Sequence, residues 1–96
     1  MDFTMIKSFK HKGLKRLFEK GVTSGLPDQD IDRINDRLQA IDTAAGIDEL
    51  NRPIYKLHQL KGEREGCWSI TVRSNWRITF QFISGDAYIL NYEDYH

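Results

Sequence analysis

Residues 68–82 read Trp68-Ser69-Ile70-Thr71-Val72-Arg73-Ser74-Asn75-Trp76-Arg77-Ile78-Thr79-Phe80-Gln81-Phe82. Large apolar residues alternate with polar ones on both sides of Ser74-Asn75, which is the period of a strand with one buried face. Two residues suffice to join antiparallel strands in a tight turn. The stretch therefore predicts a β-hairpin whose apolar face packs on a core and whose polar face points away from it.

The segments around this hairpin complete the predicted sheet. Residues 54–60 form a strand of uneven amphipathicity before it, and residues 87–92 form a buried strand after the turn Ser84-Gly85-Asp86. Residues 5–10 alternate as one further short strand near the start of the chain. Short connections join strands that run antiparallel, so the sheet is predicted to be mainly antiparallel.

Two helices are predicted between the first strand and the rest of the sheet. Leu14, Leu17 and Phe18 form the apolar side of a short basic helix that Gly21 ends in the C-cap position. The second helix begins near Pro27, is rich in aspartate in its first turns, and ends at Gly46. Its apolar stripe repeats every three or four residues, at Ile31, Ile34, Leu38, Ile41 and Ala45. The order β-α-α-β-β-β-β predicts an α+β fold, with two N-terminal helices packed on a small, mainly antiparallel β-sheet.

Length and composition indicate a single small globular domain. The chain has 96 residues, 40% of them hydrophobic and 11% aromatic, so residues 1–96 are expected to form one domain with one core. Cys67 is the only cysteine, which excludes an intrachain disulfide and permits a reducing compartment. No apolar run is long enough to span a bilayer, and no signal-peptide pattern is present, so we expect a cytoplasmic protein.

The net charge of zero conceals segregated charges. Residues 7–20 carry six Lys and Arg against one Glu, whereas residues 28–49 carry seven Asp and Glu against two Arg. Local fields depend on where charges lie, so a neutral protein can still bind nucleic acid through one surface. A solvated face is the default interpretation of either helical segment alone; if the protein binds RNA, we expect the basic segment and the strand cations to face it and the acidic helix to lie away from it.

The familiar cofactor and metal motifs are absent from the sequence. Residues 28–32 begin like a calcium loop, but Arg33 and Gln39 stand where an EF-hand needs Gly and Glu. No Walker, Rossmann or zinc spacing occurs. The sequence therefore predicts neither a metal nor a cofactor.

Polar side chains are predicted to gather on the face of the sheet that points away from the core. Arg73 and Arg77 alternate with the apolar residues of the hairpin and share their face with Ser69 and Thr71. Exposed arginine on an antiparallel sheet is routine, so neither residue alone indicates a function. Lys56 and His58 are predicted to share one side of the preceding strand.

An acid and an imidazole stand at the end of the last strand. If the strand geometry continues, Asp94 and His96 point to the side of Tyr92, and Glu93 and Tyr95 point to the other. A cationic surface that faces this pair would hold the groups needed to cleave a phosphodiester bond without a metal.

That cleavage has defined chemical needs. Attack of a ribose 2′-OH on the adjacent phosphate requires a base for the 2′ proton, an acid for the departing 5′ oxygen, and cations around the phosphoryl oxygens. Asp94 favours the imidazolium form of His96, whereas Lys56, Lys61 and Arg64 favour the neutral form of His58. Arg77, Lys61 and Arg64 suit phosphate contact, and Tyr95 suits stacking on an unpaired base.

The sequence resembles the HigB-type toxins of the RelE/ParE superfamily. The resemblance rests on the residue 60–66 loop (Leu-Lys-Gly-Glu-Arg-Glu-Gly), on the hairpin segments 68–72 and 76–80, and on the terminal triplet 94–96 (Asp-Tyr-His). It runs from Met5 to His96, and residues 1–4 are interpreted as an upstream start or a cloning remnant. The combination of loop, hairpin and triplet is specific, whereas none of the three is specific alone.

The resemblance implies a compact RelE-like microbial RNase fold and a ribosome-dependent, metal-independent mRNA endoribonuclease. Its implied targets are mRNA and the ribosome, at the A site of the small subunit. It also implies neutralisation by a HigA-type helix-turn-helix antitoxin that binds operator DNA together with the toxin. The catalytic residues it implicates are His58, Lys61, Arg77, Asp94 and His96, and those proposed for substrate binding are Lys56, Arg64, Arg73, Asn75 and Tyr95. Which of His58, Asp94 and His96 is the base stays open.

Two other functions stay open at this stage. A ParE-like protein would share the fold and inhibit DNA gyrase without catalysis, which does not need His58, Asp94 and His96 together. A non-toxic RNA-binding or protein-binding module would explain the segregated charge but not the terminal triplet.

Overall fold

The computed structural model describes residues 5–62 and 66–94. Helix α1 spans Lys12–Lys20, a 3-10 turn at Asp28–Asp30 leads into helix α2 at Ile31–Thr43, and a second 3-10 turn spans Ile47–Leu50. Strands β1 (His58–Gln59), β2 (Cys67–Arg73), β3 (Trp76–Ile83) and β4 (Asp86–Asp94) pair antiparallel in chain order. The predicted α+β architecture, with helices first and an antiparallel sheet after them, is confirmed.

The two helices follow their sequence signals closely. Gly21 ends α1 in the left-handed conformation, with φ of 70°, and its N–H bonds the carbonyl of Leu17. In α2, the apolar stripe buries Ile34, Leu38 and Ile41 completely. This helix ends at Thr43, three residues before the predicted Gly46, and Ala44 is buried there in place of the predicted Ala45. Within the described residues, no helix is long and apolar enough to cross a bilayer.

The sheet has one face on the core and one polar face. Ile70 and Ile78 are fully buried among α1 and α2 residues such as Leu14 and Leu38. We call this side the helix face. Ser69, Thr79 and Arg77 alternate with these apolar residues and lie on the opposite side, the polar face.

The strand predicted over residues 5–10 is observed as two isolated β-bridges rather than as a continuous strand. Residues 5–10 run parallel to β4 and form isolated bridges from Ile6 to Ala87 and from Phe9 to Leu90. Between them β4 carries a bulge, because Thr79 pairs with Asn91 and Gln81 pairs with Tyr88. The bulged residue Ile89 has φ of 51°, and its N–H bonds the Ser8 hydroxyl oxygen at 2.8 Å.

The prediction of a strand over residues 54–60 is largely wrong. Residues 53–56 form a turn in which Lys56 has φ of 48°, and the strand is limited to His58–Gln59. The turn buries Tyr55, whose hydroxyl donates to Asp36 Oδ2 of α2 at 2.7 Å, while the Tyr55 carbonyl accepts from the Thr71 N–H. These contacts with distant residues override the local alternation.

Candidate active site

Two rows of side chains cross the polar face of the sheet. In the first row His58 pairs with Ser69, Ser69 with Thr79, and Thr79 with Asn91. In the neighbouring row, Arg77 pairs with Thr71 on one side and with Glu93 on the other. Directly paired residues of antiparallel strands point to the same side, so His58 and Arg77 project from one face.

Arg77 is held in place over β2. Its Nη1 donates to the hydroxyl of Ser69 at 3.1 Å, and Ser69 is fully buried. The residue is half-buried, and its guanidinium carries five N–H donors in a planar fork. A planar cation fixed on a rigid sheet suits contact with a phosphate group.

Glu93 is a residue of this face that the sequence reasoning did not include among the site residues. Its Oε2 accepts from the Thr79 hydroxyl at 2.5 Å, and its backbone lies opposite Arg77 in the sheet. The signal was present in the sequence, since alternation from Tyr92 places Glu93 on the polar side. Glu93 therefore adds a carboxylate beside the cation of this face.

Asp94 points to the side of Tyr92, as predicted, and because that side is the helix face it is not the face that carries Arg77. Asp94 pairs with Trp76, and Trp76 stacks on Tyr92 with ring centroids 4.8 Å apart, so Asp94 belongs to the helix-face side of β4. It is exposed at the end of the sheet, at the same end as the hairpin turn that contains Asn75. A sheet end is accessible from both faces, so this position does not separate Asp94 from the polar face completely.

The prediction that Arg73 lies on the polar face is wrong. A register shift between Thr71 and Arg73 reverses the alternation, and Arg73 pairs with Trp76. Its Nε donates to Asp30 Oδ1 at 2.7 Å, and Asp30 is fully buried. Arg73 is thus engaged by a buried carboxylate on the helix face, and we do not propose it for substrate binding.

The two lysines predicted for the site lie at opposite ends of β1. Lys56 is exposed in the turn before β1, and Lys61 is exposed just after β1, where it lines a cleft of about 350 Å³ with Gln59, Leu60 and Gly62. Lys61 lies near the Cys67 end of β2, about 16 Å along the strands from Arg77 at about 3.3 Å per residue. At this backbone spacing the long side chains of Lys61 and Arg77 suit contacts with the same or neighbouring phosphates of an extended RNA strand.

Three predicted site residues, Arg64, Tyr95 and His96, lie outside the described residues. Within residues 5–62 and 66–94, no group of three His, Cys, Asp or Glu side chains could hold a metal ion.

The charged helices both lie behind the polar face. Leu14 and Leu17 of α1 and Leu38 of α2 pack in the same core beneath the sheet. The acidic helix α2 is therefore on the side away from Arg77, as expected, but the basic helix α1 is there too. The expectation that α1 shares one surface with the strand cations is wrong, because its apolar side is needed for the core.

Solved structures identify the class of fold. The chain superposes on the YoeB–YefM complex from Staphylococcus aureus with a TM-score of 0.62 at 18% identity, over 95% of this chain and 94% of that chain. A YoeB dimer from Staphylococcus aureus gives a TM-score of 0.60 at 17% identity, over 99% of each chain. At such identities the likeness shows the fold alone, which is that of the small RelE-like toxins.

Sequence comparison identifies the family within that class. The model for the RelE-like toxin of the type II toxin-antitoxin system HigB matches residues 7–96. Endoribonuclease HigB of Proteus vulgaris is 86% identical over 92 residues, which cover 96% of this chain and 100% of that protein. The chain belongs to the HigB-like toxin family: it is an endoribonuclease and the toxin of a type II toxin-antitoxin system. The resemblance stated from the sequence is confirmed.

Proposed function

We propose that this endoribonuclease cleaves mRNA on the translating ribosome by attack of the ribose 2′-OH, without a metal ion. The observation that carries the proposal is that His58 and Arg77 both meet Ser69 on the polar face: His58 pairs with Ser69 across the strands, and Arg77 Nη1 donates to the buried Ser69 hydroxyl. An imidazole beside a fixed guanidinium provides proton transfer and charge stabilisation at one phosphate.

In the proposed reaction the 2′ oxygen forms a bond to phosphorus while the bond from phosphorus to the 5′ oxygen breaks. A base accepts the 2′ proton, and an acid donates a proton to the 5′ oxygen. The products are a 2′,3′-cyclic phosphate and a 5′-hydroxyl end. His58, Asp94 and His96 are the candidates for base and acid, and Arg77 stabilises the charge on the phosphoryl oxygens.

The remaining site residues bind the RNA strand. Lys61 acts at the scissile or a neighbouring phosphate, and Lys56, Arg64 and Asn75 hold the strand on either side of it. Tyr95 stacks on an unpaired base. The exposed positions of Lys56, Lys61 and Asn75 at different points around the sheet support this division.

The proposed partners follow from the same activity. The toxin enters the A site on the small subunit of cytoplasmic ribosomes, where the mRNA is single-stranded. A HigA-type helix-turn-helix antitoxin neutralises it, and operator DNA is bound only by the toxin–antitoxin complex. We propose that residues 1–96 act as one toxin domain.

Cleavage by ribosome-bound protein tests the function. Incubation with translating ribosomes and a defined mRNA should produce fragments with 5′-hydroxyl and 2′,3′-cyclic phosphate ends, while free mRNA stays intact. Equal cleavage of free mRNA would contradict ribosome dependence, and 5′-phosphate ends would contradict the 2′-OH mechanism. Inhibition of DNA gyrase without RNA cleavage would favour the ParE-like alternative.

A further inference from the structure

A fully buried carboxylate ties together three elements near the end of β4. Asp30, at the start of α2, is 0% exposed. Its Oδ1 accepts from Arg73 Nε of β2 at 2.7 Å, and its Oδ2 accepts from Arg73 Nη2 at 3.3 Å and from the Tyr92 hydroxyl of β4 at 2.9 Å. We call Asp30, Arg73 and Tyr92 the clamp. Two charge-assisted bonds to one guanidinium fix the orientation of the carboxylate as well as its position.

The clamp lies where the backbone of β4 is paired on one side only. Within the described residues, backbone hydrogen bonds from the N-terminal segment to β4 end at Leu90, after which that segment turns into α1. In the same part of the chain, residues 91–94 form ladder pairs with β3 alone. Strand ends that are paired on one side fray readily, so this end needs another anchor.

Tyr92 provides that anchor from within the stretch paired on one side. It is 7% exposed, its ring stacks on Trp76 at 4.8 Å, and its hydroxyl reaches Asp30. Asp94 follows two residues later on the same side of the strand. The clamp also holds Arg73, the last residue of β2, and thereby the turn that carries Asn75.

The protonation states of the clamp are well defined at neutral pH. The hydrogen bond from Arg73 lowers the pKa of Asp30 below its ordinary value, against the opposing effect of burial. Burial, followed by the hydrogen bond to Asp30, raises the pKa of Tyr92 above its ordinary value. The carboxylate therefore accepts and the phenol donates throughout the physiological range.

We propose that Asp30 is a positioning residue for RNA cleavage: through Tyr92 and Arg73 it fixes the end of β4, with Asp94, against the turn that carries Asn75. Asp30 does not touch RNA and acts only through these two residues. The inference rests on the proposed function, in which the end of β4 takes part in catalysis. A small displacement of a reacting group lowers the rate far more than it lowers binding, because the bound geometry must match the transition state.

Tyr92→Phe is the sharpest test because it removes only the hydroxyl and keeps the ring stacked on Trp76. The matched control is Tyr55→Phe, since Tyr55 is also buried, at 1% exposure against 7% for Tyr92, and donates to Asp36 Oδ2 at 2.7 Å, away from the end of β4. Both variants lose one hydrogen bond to an aspartate. They should lose similar stability, as urea denaturation would measure.

The activity of the two variants should differ. In single-turnover cleavage at saturating ribosomes, under conditions where each variant is folded, Tyr92→Phe should lower the rate by about 100-fold. Its ribosome affinity should stay unchanged, and Tyr55→Phe should cleave at the wild-type rate. Hydrogen exchange of the amides at residues 91–94 should be faster in Tyr92→Phe than in the wild-type protein and unchanged in Tyr55→Phe. Asp30→Asn should reproduce both effects if it folds.

Two results would contradict the positioning role of the clamp. A wild-type cleavage rate for Tyr92→Phe, or an equal loss of rate in Tyr55→Phe, would overturn the positioning role. Asp94→Ala separates this failure from that of the proposed function. If Asp94→Ala cleaves normally, Asp94 is not a catalytic residue, and its role within the proposed function is at fault. If Asp94→Ala is inactive while Tyr92→Phe is not, only the clamp is refuted.

Discussion

Among single residues, Arg77 is expected to contribute far more to the cleavage rate than to the stability of the protein. Its Nη1 bonds the buried Ser69 hydroxyl, so replacement by alanine should cost about 1 kcal/mol of stability through that hydrogen bond. The loss of cleavage should be much larger, about 100-fold or more, because a fixed donor to developing charge acts mainly in the transition state. Single-turnover cleavage and urea denaturation of Arg77→Ala measure the two effects. A rate close to wild type would exclude the proposed role.

His11 offers a second prediction at this scale, on pH and stability. Its Nδ1 caps α1 by accepting the Leu14 N–H at 3.2 Å, and a Cβ on Gly13 would lie only 2.8 Å from its Cε1, so glycine leaves room for the ring. Burial, and then the nearby Arg16, lower the pKa of His11 from 6.5. The unfolded chain therefore binds this proton first, and stability should fall as pH drops below about 6.5 towards the lowered folded-state value.

The matched variant is His11→Asn, because asparagine keeps a cap acceptor without titrating. Urea denaturation at pH 7.5 and 5.5 should show a smaller loss for this variant than for the wild-type protein. An identical loss in both would mean that His11 does not contribute to the acid sensitivity.

At the scale of elements, the bulge in β4 is a strained feature that the sheet tolerates. Ile89 has φ of 51°, a conformation that is costly for a β-branched residue, and its side chain is 45% exposed. Glycine removes the strain, so Ile89→Gly should change stability by no more than about 0.5 kcal/mol, since relief offsets the lost burial and the entropy of glycine. The control is Ile83→Gly in β3, where Ile83 is 51% exposed without positive φ and should cost about 1 kcal/mol. Equal costs in urea denaturation would contradict a strained bulge.

At the scale of the whole molecule, the sheet separates the proposed RNA surface from the acidic helix. The double variant Lys56→Glu and Lys61→Glu should weaken ribosome binding and reduce the slope of log affinity against log salt by about 2, since each lysine contributes about 1. The variant Asp28→Lys and Asp32→Lys reverses two exposed acids near the start of α2 and should leave binding nearly unchanged. Asp36 is unsuitable as a control, because it accepts from the buried Tyr55 hydroxyl. Similar effects of the two pairs on ribosome affinity would refute a localised surface.

The sequence by itself determined the elements that depend on local pattern. Alternation predicted the β2–β3 hairpin, and the three- and four-residue repeat predicted α2 with Ile34, Leu38 and Ile41 buried. Gly21 ends α1 in a left-handed conformation. Ser84 and Gly85, both with positive φ, form the turn before β4. These features rest on interactions between residues close in the chain. The resemblance to HigB-type toxins then supplied the function, which composition and spacing alone left open.

Only the tertiary structure decided which side chains share a face. The register shift near Arg73 and the bulge at Ile89 each change the alternation of a strand by one residue. As a result Arg73 turns to the buried Asp30, and Ala87 and Leu90, which simple alternation would place on opposite faces, are both buried in the core. The turn at residues 53–56 similarly shortens β1 and leaves His58 opposite Ser69. Each irregularity involves contact with a residue distant in the chain: Asp30 at the register shift, Ser8 at the bulge and Asp36 at the turn. Strand alternation considers only residues adjacent in the chain and therefore does not predict these contacts.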